Sequence, residues 1–267
     1  MVDSGPSCRE ISACDAAPYH HSRRSNVRYG REVGAAEPGR ARGLLPGFVN
    51  SADLGGIALP HGKRVPSRRI IRANTPGDLS DDELAAANAF GFVAVLDLRS
   101  HEGLRTSPHP LAHLSGYQSL PLIDPAAEAR EDFSRYRTLG AVYSSSLQRN
   151  ATHIAAIFDA LATAPQWPGA VMVSCHAGRD RTGMVVALLL DLAGVGREVI
   201  AADYALYSKV ATPAALSTRA ERPRQGISDI TQMLEHVNAS YGSTSHYLRS
   251  LGLGDRAIDG LRRRLEP

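Results

Sequence analysis

The run from Val171 to Leu190, VMVSCHAGRDRTGMVVALLL, restricts the possible folds of this chain more than any other stretch. It begins apolar, becomes polar around Gly178, and is again strongly apolar over the length of a helix. This order predicts a buried strand that ends at Ser174, a short loop, and a helix that begins near Arg181. Such strand–loop–helix units are typical of α/β folds.

Other apolar runs repeat the alternation of strand and helix. FVAVLDL, residues 92–98, is almost continuously apolar, which predicts a strand covered on both faces. RRIIRA, residues 68–73, and the beginning of GYQSLPLID, residues 116–124, predict further strands, and Ser80 with Glu83 predicts a capping box at the start of a helix. We therefore expect an α/β fold whose central sheet is mostly parallel and is flanked by helices.

The chain of 267 residues is expected to contain an extension and one domain. Residues 1 to about 40 show neither helical nor strand periodicity and are rich in Gly, Ser, Arg and Pro, so a mobile N-terminal extension is predicted. One domain is predicted over residues 41–267. Within it, the charged segment between Asp124 and Tyr143, which includes AAEAREDFSRYR, is predicted as a helical insertion that acts as a lid over the functional pocket.

Composition and charge argue against several functional classes. The formal net charge is only +3 and aromatic residues make up 6%, so the sequence lacks the basic face with interleaved aromatics that nucleic-acid binding uses. No stretch reaches the roughly 20 continuous apolar residues of a membrane span. The three cysteines, Cys8, Cys14 and Cys175, form no disulfide framework and no signal peptide is evident. These features predict a cytoplasmic protein, and export without a classical signal peptide is left open.

No cofactor or metal site is predicted. His109 and His113 have the spacing of zinc ligands on a helix, but Pro108 and Pro110 argue against a helix through this segment. The sequence therefore points to chemistry that side chains carry alone.

The polar loop after the last predicted strand has the residues of an anion site with a nucleophile. A loop that runs into a helix N-terminus directs backbone N–H groups and the positive end of the helix dipole at one point, which favours an oxyanion and the thiolate form of Cys175. Gly178 permits a tight curl, Arg181 can bind two oxygens of a phosphate, and the Thr182 hydroxyl can donate to the sulfur. A buried, inert thiol is the alternative, but a core cysteine does not require Arg179 and Arg181 beside it.

The motif CHAGRDRTG, residues 175–183, resembles the signature loop of cysteine-based protein tyrosine phosphatases. Its basic residue and Asp before the loop arginine resemble the bacterial tyrosine phosphatase family, whose members act on phosphotyrosine, sometimes on phosphoserine or phosphothreonine, and on phosphoinositides. The stretches NSADLGG, LDLRSHEG, LPLID, DYALYS and YGSTSHYLRSLGL also resemble landmarks of that family, so the resemblance runs from about Gly47 to the end of the chain. It implies a tyrosine phosphatase-like fold, a phosphocysteine intermediate at Cys175 and a transition-state clamp at Arg181.

Three positions depart from the pattern of that family. Ser174 stands where the family commonly has His before the cysteine, which bears on how reactive the thiolate is. Arg179 stands where Lys is usual, a change that keeps the charge but not the reach. Ala52 precedes Asp53 where the family often has Arg, which affects a supporting ion pair.

Three carboxylates are candidates for the general acid that protonates the leaving oxygen. Asp124, in LPLIDP, is preferred because the tyrosine phosphatase fold places a mobile acid loop there. Asp97 ends a strand expected beside that of the cysteine, and its alternative role is a structural ion pair with an arginine. Asp180 lies inside the loop, where it can instead hold Arg179 or the loop backbone. The predicted phosphate-binding residues are His176, Ala177, Gly178, Arg179, Asp180, Arg181 and Thr182.

The sequence therefore predicts a cysteine-dependent phosphatase that hydrolyses phosphotyrosine, with phosphoserine, phosphothreonine and phosphoinositide monoesters as further candidate substrates. The expected partner is a phosphorylated protein or a phosphoinositide. A catalytically weakened phosphate-binding module, suggested by Ser174, and a rhodanese-like sulfurtransferase are the alternatives. The segment GRDRTG suits a phosphate better than a transferred sulfur atom.

Overall fold

The computed structural model describes residues 43–165, 169–208 and 227–267. Its strands are β1 (Ala52–Asp53), β2 (Ile70–Asn74), β3 (Phe92–Asp97), β4 (Tyr117–Ser119) and β5 (Ala170–Cys175). They form a five-stranded sheet in the order β1-β2-β5-β3-β4, in which β1 is antiparallel to β2 and all other neighbours are parallel. The predicted α/β fold with a mostly parallel sheet is confirmed. The predicted extension of residues 1–40 lies outside the described residues.

Helices connect the strands and follow the last strand along the chain. They are α1 (Asp81–Ala89), α2 (His101–Thr106), α3 (Pro125–Ala129), α4 (Leu139–Arg149), α5 (Ala151–Thr163), α6 (Asp180–Leu192), α7 (Arg197–Ser208), α8 (Ile227–Tyr241), α9 (Thr244–Ser250) and α10 (Asp255–Leu265). The predicted capping box starts α1, because Ser80 and Glu83 each accept a hydrogen bond from the backbone of the other. The charged insertion contains α3 and a short 3-10 turn at Phe133–Arg135, and its role as a lid stays a prediction.

Both faces of the sheet are covered by apolar groups, as the continuous apolar runs predict. A large hydrophobic cluster contains residues of every helix from α4 to α10. It packs on the face of the sheet that carries Val171, Val173 and Cys175. A smaller cluster covers the opposite face, where Met172 packs with Phe48 and with residues of α1. Because both faces are filled, substrate can reach a strand residue only at an end of the sheet.

The carboxyl ends of the three neighbouring strands β2, β5 and β3 lie together. Asn74 of β2 is the register partner of Cys175, and Asp97 of β3 is the register partner of Ser174. In open α/β sheets ligands bind outside the carboxyl ends of the strands. Cys175, the last residue of the central strand, lies at this position.

A buried ion pair joins β2 to α7 just below this end of the sheet. Arg72 Nη1 lies 2.7 Å from Asp203 Oδ2, and the two side chains are 0% and 2% exposed. The guanidinium also lies 3.7 Å above the centroid of the Tyr207 ring, a cation–π geometry. A charge buried to this extent is costly without its partner, so each residue requires the other.

Asp203→Asn removes the charge that faces Arg72 while it keeps the shape of the side chain. We expect the free energy of unfolding to fall by about 3 kcal/mol, because the guanidinium stays buried without a counter-charge. Urea unfolding followed by circular dichroism measures the change.

The exposed pair of Arg249 and Asp255 supplies the control, since it has a similar distance of 2.9 Å but side chains that are 42% and 78% exposed. Asp255→Asn should cost less than about 1 kcal/mol. Equal losses in the two variants would contradict the structural role assigned to the buried pair.

Candidate active site

The cysteine loop, residues 175–182, leaves β5 and enters the first turn of α6. Its tightest point is Gly178, where φ is +65°, a conformation that favours glycine. A Cβ atom at this position would lie 2.5 Å from the backbone N of Asn74 and 2.6 Å from the carbonyl carbon of Ala73. The loop therefore passes over the end of β2 at a distance that leaves no space for a side chain.

Three donors outside the loop bind its carbonyl oxygens. A trans peptide directs its C=O and its N–H to opposite sides, so carbonyls that are held outward favour amides that face the inside of the curl. Inward amides at the start of a helix are the arrangement that an anion site requires. The hydrogen bonds run from Thr75 N to the Cys175 carbonyl (2.8 Å), from Asn50 Nδ2 to the Ala177 carbonyl (2.8 Å) and from Arg72 Nη2 to the Gly178 carbonyl (3.0 Å).

The two predicted cations of the loop have different surroundings. Arg181 Nη1 donates to the carbonyl of Leu98, which directly follows β3, at 3.2 Å. Arg179 instead contacts the carboxylate of its neighbour Asp180 at 3.4 Å. His176 is exposed at the surface of the loop.

The nucleophile candidate is almost enclosed, since Cys175 is only 2% exposed. The hydroxyl of Thr182, predicted to donate to the sulfur, is buried and has no hydrogen-bond partner among the described residues. The predicted bond between them is therefore not formed in this structure.

A pair of tyrosines approaches Asp180 from two helices. Tyr143 of α4 donates from its hydroxyl to Asp180 Oδ1 at 2.5 Å, and the hydroxyl of Tyr204 of α7 lies 2.8 Å from that of Tyr143. Burial and the negative charge of Asp180 raise the pKa of Tyr143 well above its ordinary value. The same two causes raise the pKa of Tyr204. Both hydroxyls are protonated donors at neutral pH.

Asp97 lies in the ion pair that the sequence left as its alternative role. Its carboxylate is fully buried and binds Arg99 Nη2 at 2.8 Å and Arg99 Nε at 3.1 Å. The Tyr117 hydroxyl donates to it at 3.3 Å, and burial together with Asp97 raises the pKa of Tyr117 to about 12. The side chain therefore contacts structural partners at the end of β3.

Asp124, the carboxylate preferred from the sequence, caps α3. Its Oδ1 accepts a hydrogen bond from the Ala126 backbone N–H at 2.8 Å. The residue lines a cavity of about 330 Å³ to which no residue of the cysteine loop contributes. The other lining residues are Ser100, His101, Glu102, Pro121, Ile123, Pro125 and His153.

Ser174, the departure next to the nucleophile, contacts a buried imidazole. His109 Nε2 lies 3.3 Å from Ser174 Oγ, while its Nδ1 accepts from the Leu111 backbone N–H at 3.0 Å. Burial lowers the pKa of His109 to about 4, although Asp97 opposes the shift. The ring is therefore neutral at pH 7, carries its proton on Nε2 and donates to the serine.

The residues that support the loop from below are not among those predicted from the sequence. Asp203 lies among the apolar residues Ile200, Tyr204 and Tyr207 on the buried side of α7, and Arg72 is included only as part of the predicted strand RRIIRA. A carboxylate among buried apolar residues and an arginine within an apolar strand each indicate a buried partner. The sequence could therefore have suggested that these two residues pair. Asn50 and Tyr143 carry no comparable signal in the sequence.

Similarity to known proteins bears on this arrangement. A family model described as "Tyrosine phosphatase family" matches residues 44–266. The chain belongs to this family. Its predicted enzyme class, a protein-tyrosine phosphatase, and its predicted fold are thereby confirmed.

Named bacterial proteins share the family with this chain. A tyrosine-protein phosphatase of Nostoc commune is 29% identical over 226 residues, which cover 75% of each chain. The triple specificity protein phosphatase PtpB of Mycobacterium tuberculosis is 26% identical and covers 82% of this chain and 96% of its own length. A putative tyrosine-protein phosphatase of Cupriavidus necator is 28% identical over 79% of this chain and 78% of its own length.

The described residues contain neither a metal cluster nor a membrane-spanning helix. Across 43–165, 169–208 and 227–267, no three His, Cys, Asp or Glu side chains are grouped so that they can hold a metal ion. None of the helices in these ranges has the length and apolar character required to cross a membrane. His109 and His113 bind different partners, since His113 contacts Asn88 at 2.9 Å.

Gly178→Ala tests the close approach of the cysteine loop to β2. The new Cβ would force the loop away from Asn74, so we expect the affinity for inorganic phosphate to fall at least about tenfold while the fold is kept. Isothermal titration with phosphate measures the loss. Gly254→Ala is the control, because a Cβ added at Gly254 would meet no atom within 4 Å and its φ is −75°. Equal phosphate affinity in both variants would contradict the assignment of the loop as the anion site.

Proposed function

We propose that this phosphatase hydrolyses phosphate monoesters through a phosphocysteine intermediate at Cys175. The observation that carries the proposal is the cysteine loop itself, which combines a thiol at a strand end, carbonyls held outward and a helix N-terminus. Such a site stabilises both a thiolate and the oxyanions of a phosphoryl group. The cytoplasmic location predicted from the sequence is kept as part of the proposal.

The proposed reaction has two steps. The Cys175 thiolate attacks phosphorus, the bond from phosphorus to the ester oxygen breaks, and a general acid gives its proton to the leaving alcohol or phenol. Water then attacks the phosphocysteine, the phosphorus–sulfur bond breaks, and inorganic phosphate leaves. The carboxylate that lost its proton in the first step accepts one from water in the second.

Arg181 is the proposed clamp for the phosphoryl oxygens. Its planar guanidinium suits two equatorial oxygens, and charge on these oxygens is stabilised throughout the transfer. The Leu98 carbonyl binds one Nη atom and so limits the orientations of the side chain. Arg179 adds a second positive charge near the loop, where its contact to Asp180 is long enough to exchange for a substrate oxygen.

Asp180 is the carboxylate that we propose as the general acid. It belongs to the loop that holds the phosphoryl group, and its side chain is 31% exposed. Asp97 is fully buried on Arg99, and Asp124 caps α3 beside a cavity that the loop does not line. The preference for Asp124 from the sequence stays a prediction, and the contacts support Asp180 more strongly.

Phosphotyrosine in a protein is the proposed principal substrate. The family and the names of the Nostoc and Cupriavidus relatives support this class. The name of the Mycobacterium relative supports a wider specificity, so phosphoserine, phosphothreonine and phosphoinositides are included as further substrates. Paired arginines beside the phosphate suit substrates with several negative charges.

Cys175→Ser tests the nucleophile with p-nitrophenyl phosphate. Turnover should fall below detection while inorganic phosphate still binds, because serine keeps the loop but is a far weaker nucleophile. Arg249→Ala is the control, because this side chain on α9 is 42% exposed and lies outside the cysteine loop, and it should leave turnover unchanged.

Two outcomes favour the alternatives. No turnover by the unmodified protein, together with phosphate binding, would indicate a phosphate-binding module. Sulfur transfer from thiosulfate to cyanide that depends on Cys175 would indicate a sulfurtransferase.

The general acid is tested by the dependence of kcat on the leaving group. Phenolate needs a proton to depart, whereas p-nitrophenolate departs readily without one. We expect Asp180→Asn to lower kcat about a hundredfold for phenyl phosphate and much less for p-nitrophenyl phosphate. Asp124→Asn should lower both rates by the same small factor. A selective loss in Asp124→Asn instead of Asp180→Asn would restore the choice made from the sequence.

A further inference from the structure

The contact between Tyr143 and Asp180 is shorter than the other hydrogen bonds of the loop. At 2.5 Å it lies in the range of hydroxyl-to-carboxylate bonds, which are stronger than neutral ones. Tyr143 is 4% exposed and sits on α4, far along the chain from the loop. The bond engages one oxygen of the Asp180 carboxylate, Oδ1.

The second tyrosine gives the arrangement a direction. The single proton of the Tyr143 hydroxyl is used on Asp180, so the Tyr204 hydroxyl must donate across the 2.8 Å between the two oxygens. The chain of donors therefore runs from Tyr204 to Tyr143 to Asp180. The rings meet edge to face, with centroids 6.4 Å apart and planes at 81°.

A glycine of the loop helix makes space for this pair. A Cβ on Gly183 would lie 2.9 Å from two carbon atoms of the Tyr204 ring. The Tyr204 ring of α7 therefore packs directly on the first turn of α6, three residues beyond Asp180. This contact fixes the position of the two tyrosines relative to the loop.

We propose that Tyr143, held by Tyr204, is a positioning residue that fixes the carboxyl plane of Asp180 and directs its transferable proton to Oδ2. The inference rests on the proposed function, in which Asp180 is the general acid. A hydroxyl that donates to Oδ1 remains satisfied when Asp180 is protonated on Oδ2, and Oδ2 becomes available for that proton when Arg179 exchanges its 3.4 Å contact for a substrate oxygen. The acid thus delivers its proton from one defined oxygen.

Several charged or titratable groups face this carboxyl. Arg179 contacts Oδ2 from the loop, and Arg181 follows in the next position of the chain. Tyr143 and Tyr204 approach from α4 and α7. Asp229 of α8 adds a negative charge that acts on Tyr204. The Tyr143 hydroxyl is uncharged and donates to Oδ1, so the substitution Tyr143→Phe removes this hydrogen bond without a change of charge.

Tyr143→Phe has a predicted sign in the pH profile of kcat. A general acid works only while it is protonated, so kcat falls as pH rises through its titration. The tyrosine bond stabilises the charged carboxylate, and its removal lets the carboxyl keep its proton to higher pH. In Tyr143→Phe the basic limb of the kcat profile should therefore shift to higher pH by about one unit. Tyr204→Phe should shift it in the same direction by a smaller amount.

The same variant should also change the dependence on the leaving group. With the carboxyl no longer held in one plane, we expect kcat for phenyl phosphate to fall about tenfold more than kcat for p-nitrophenyl phosphate. In an Asp180→Asn background, Tyr143→Phe should add no further leaving-group effect. Steady-state kinetics of the single and double variants, over a range of pH, provide both readouts.

Tyr247→Phe is the matched control. Tyr247 is also buried, and its hydroxyl donates to the Leu147 carbonyl at 3.0 Å. The substitution should cost similar stability in urea unfolding and leave the pH profile in place. A shift of equal size in Tyr247→Phe, or no shift in Tyr143→Phe, would overturn the proposal.

The failure of the proposed function has a different signature. If Asp180→Asn keeps the leaving-group dependence of the unmodified enzyme, Asp180 is not the acid and the tyrosine proposal falls with it. If Asp180→Asn shows the selective loss on phenyl phosphate but Tyr143→Phe behaves like Tyr247→Phe, only the positioning role is wrong.

Discussion

The close passage of the cysteine loop over the end of β2 governs the geometry of the site. With a Cβ excluded at Gly178, the loop backbone lies against Ala73 and Asn74, and Arg72 can reach the Gly178 carbonyl from below. The same guanidinium is neutralised by Asp203 of α7. One buried arginine thus connects the sheet, the loop and a helix that is distant in the chain. The curl of the loop depends on this support.

The two faces of the site are built from different parts of the chain. The sheet side supplies buried structural partners, with Asp97 and Arg99 at the end of β3 and His109 behind Ser174. The helical side supplies Tyr143 and Tyr204, which approach the loop carboxylate. This division separates groups that hold the strand ends from groups that contact the proposed acid.

Much of the fold was open to prediction because its signals are local. The apolar runs of β3 and β5, the capping box of α1 and the glycine of the loop each act within a few residues, and each is found where it was expected. For the candidate site, the sequence supports predictions only where the residues are contiguous, as in the cysteine loop. The sequence cannot decide among Asp97, Asp124 and Asp180, because that choice depends on which side chains meet across the fold. Neither the Arg99 pair of Asp97 nor the tyrosines beside Asp180 follow from a sequence pattern.

The phosphocysteine is the central claim, and its direct detection is the most decisive measurement. A phosphomonoester substrate is mixed rapidly with enzyme, the reaction is stopped by denaturation before one turnover is complete, and the peptides are mapped by mass spectrometry. The account predicts a phosphoryl group on the peptide that contains Cys175 and on its sulfur atom. Substrate hydrolysis with no covalent phosphoryl group at any time point, or with the group on another residue, would contradict it.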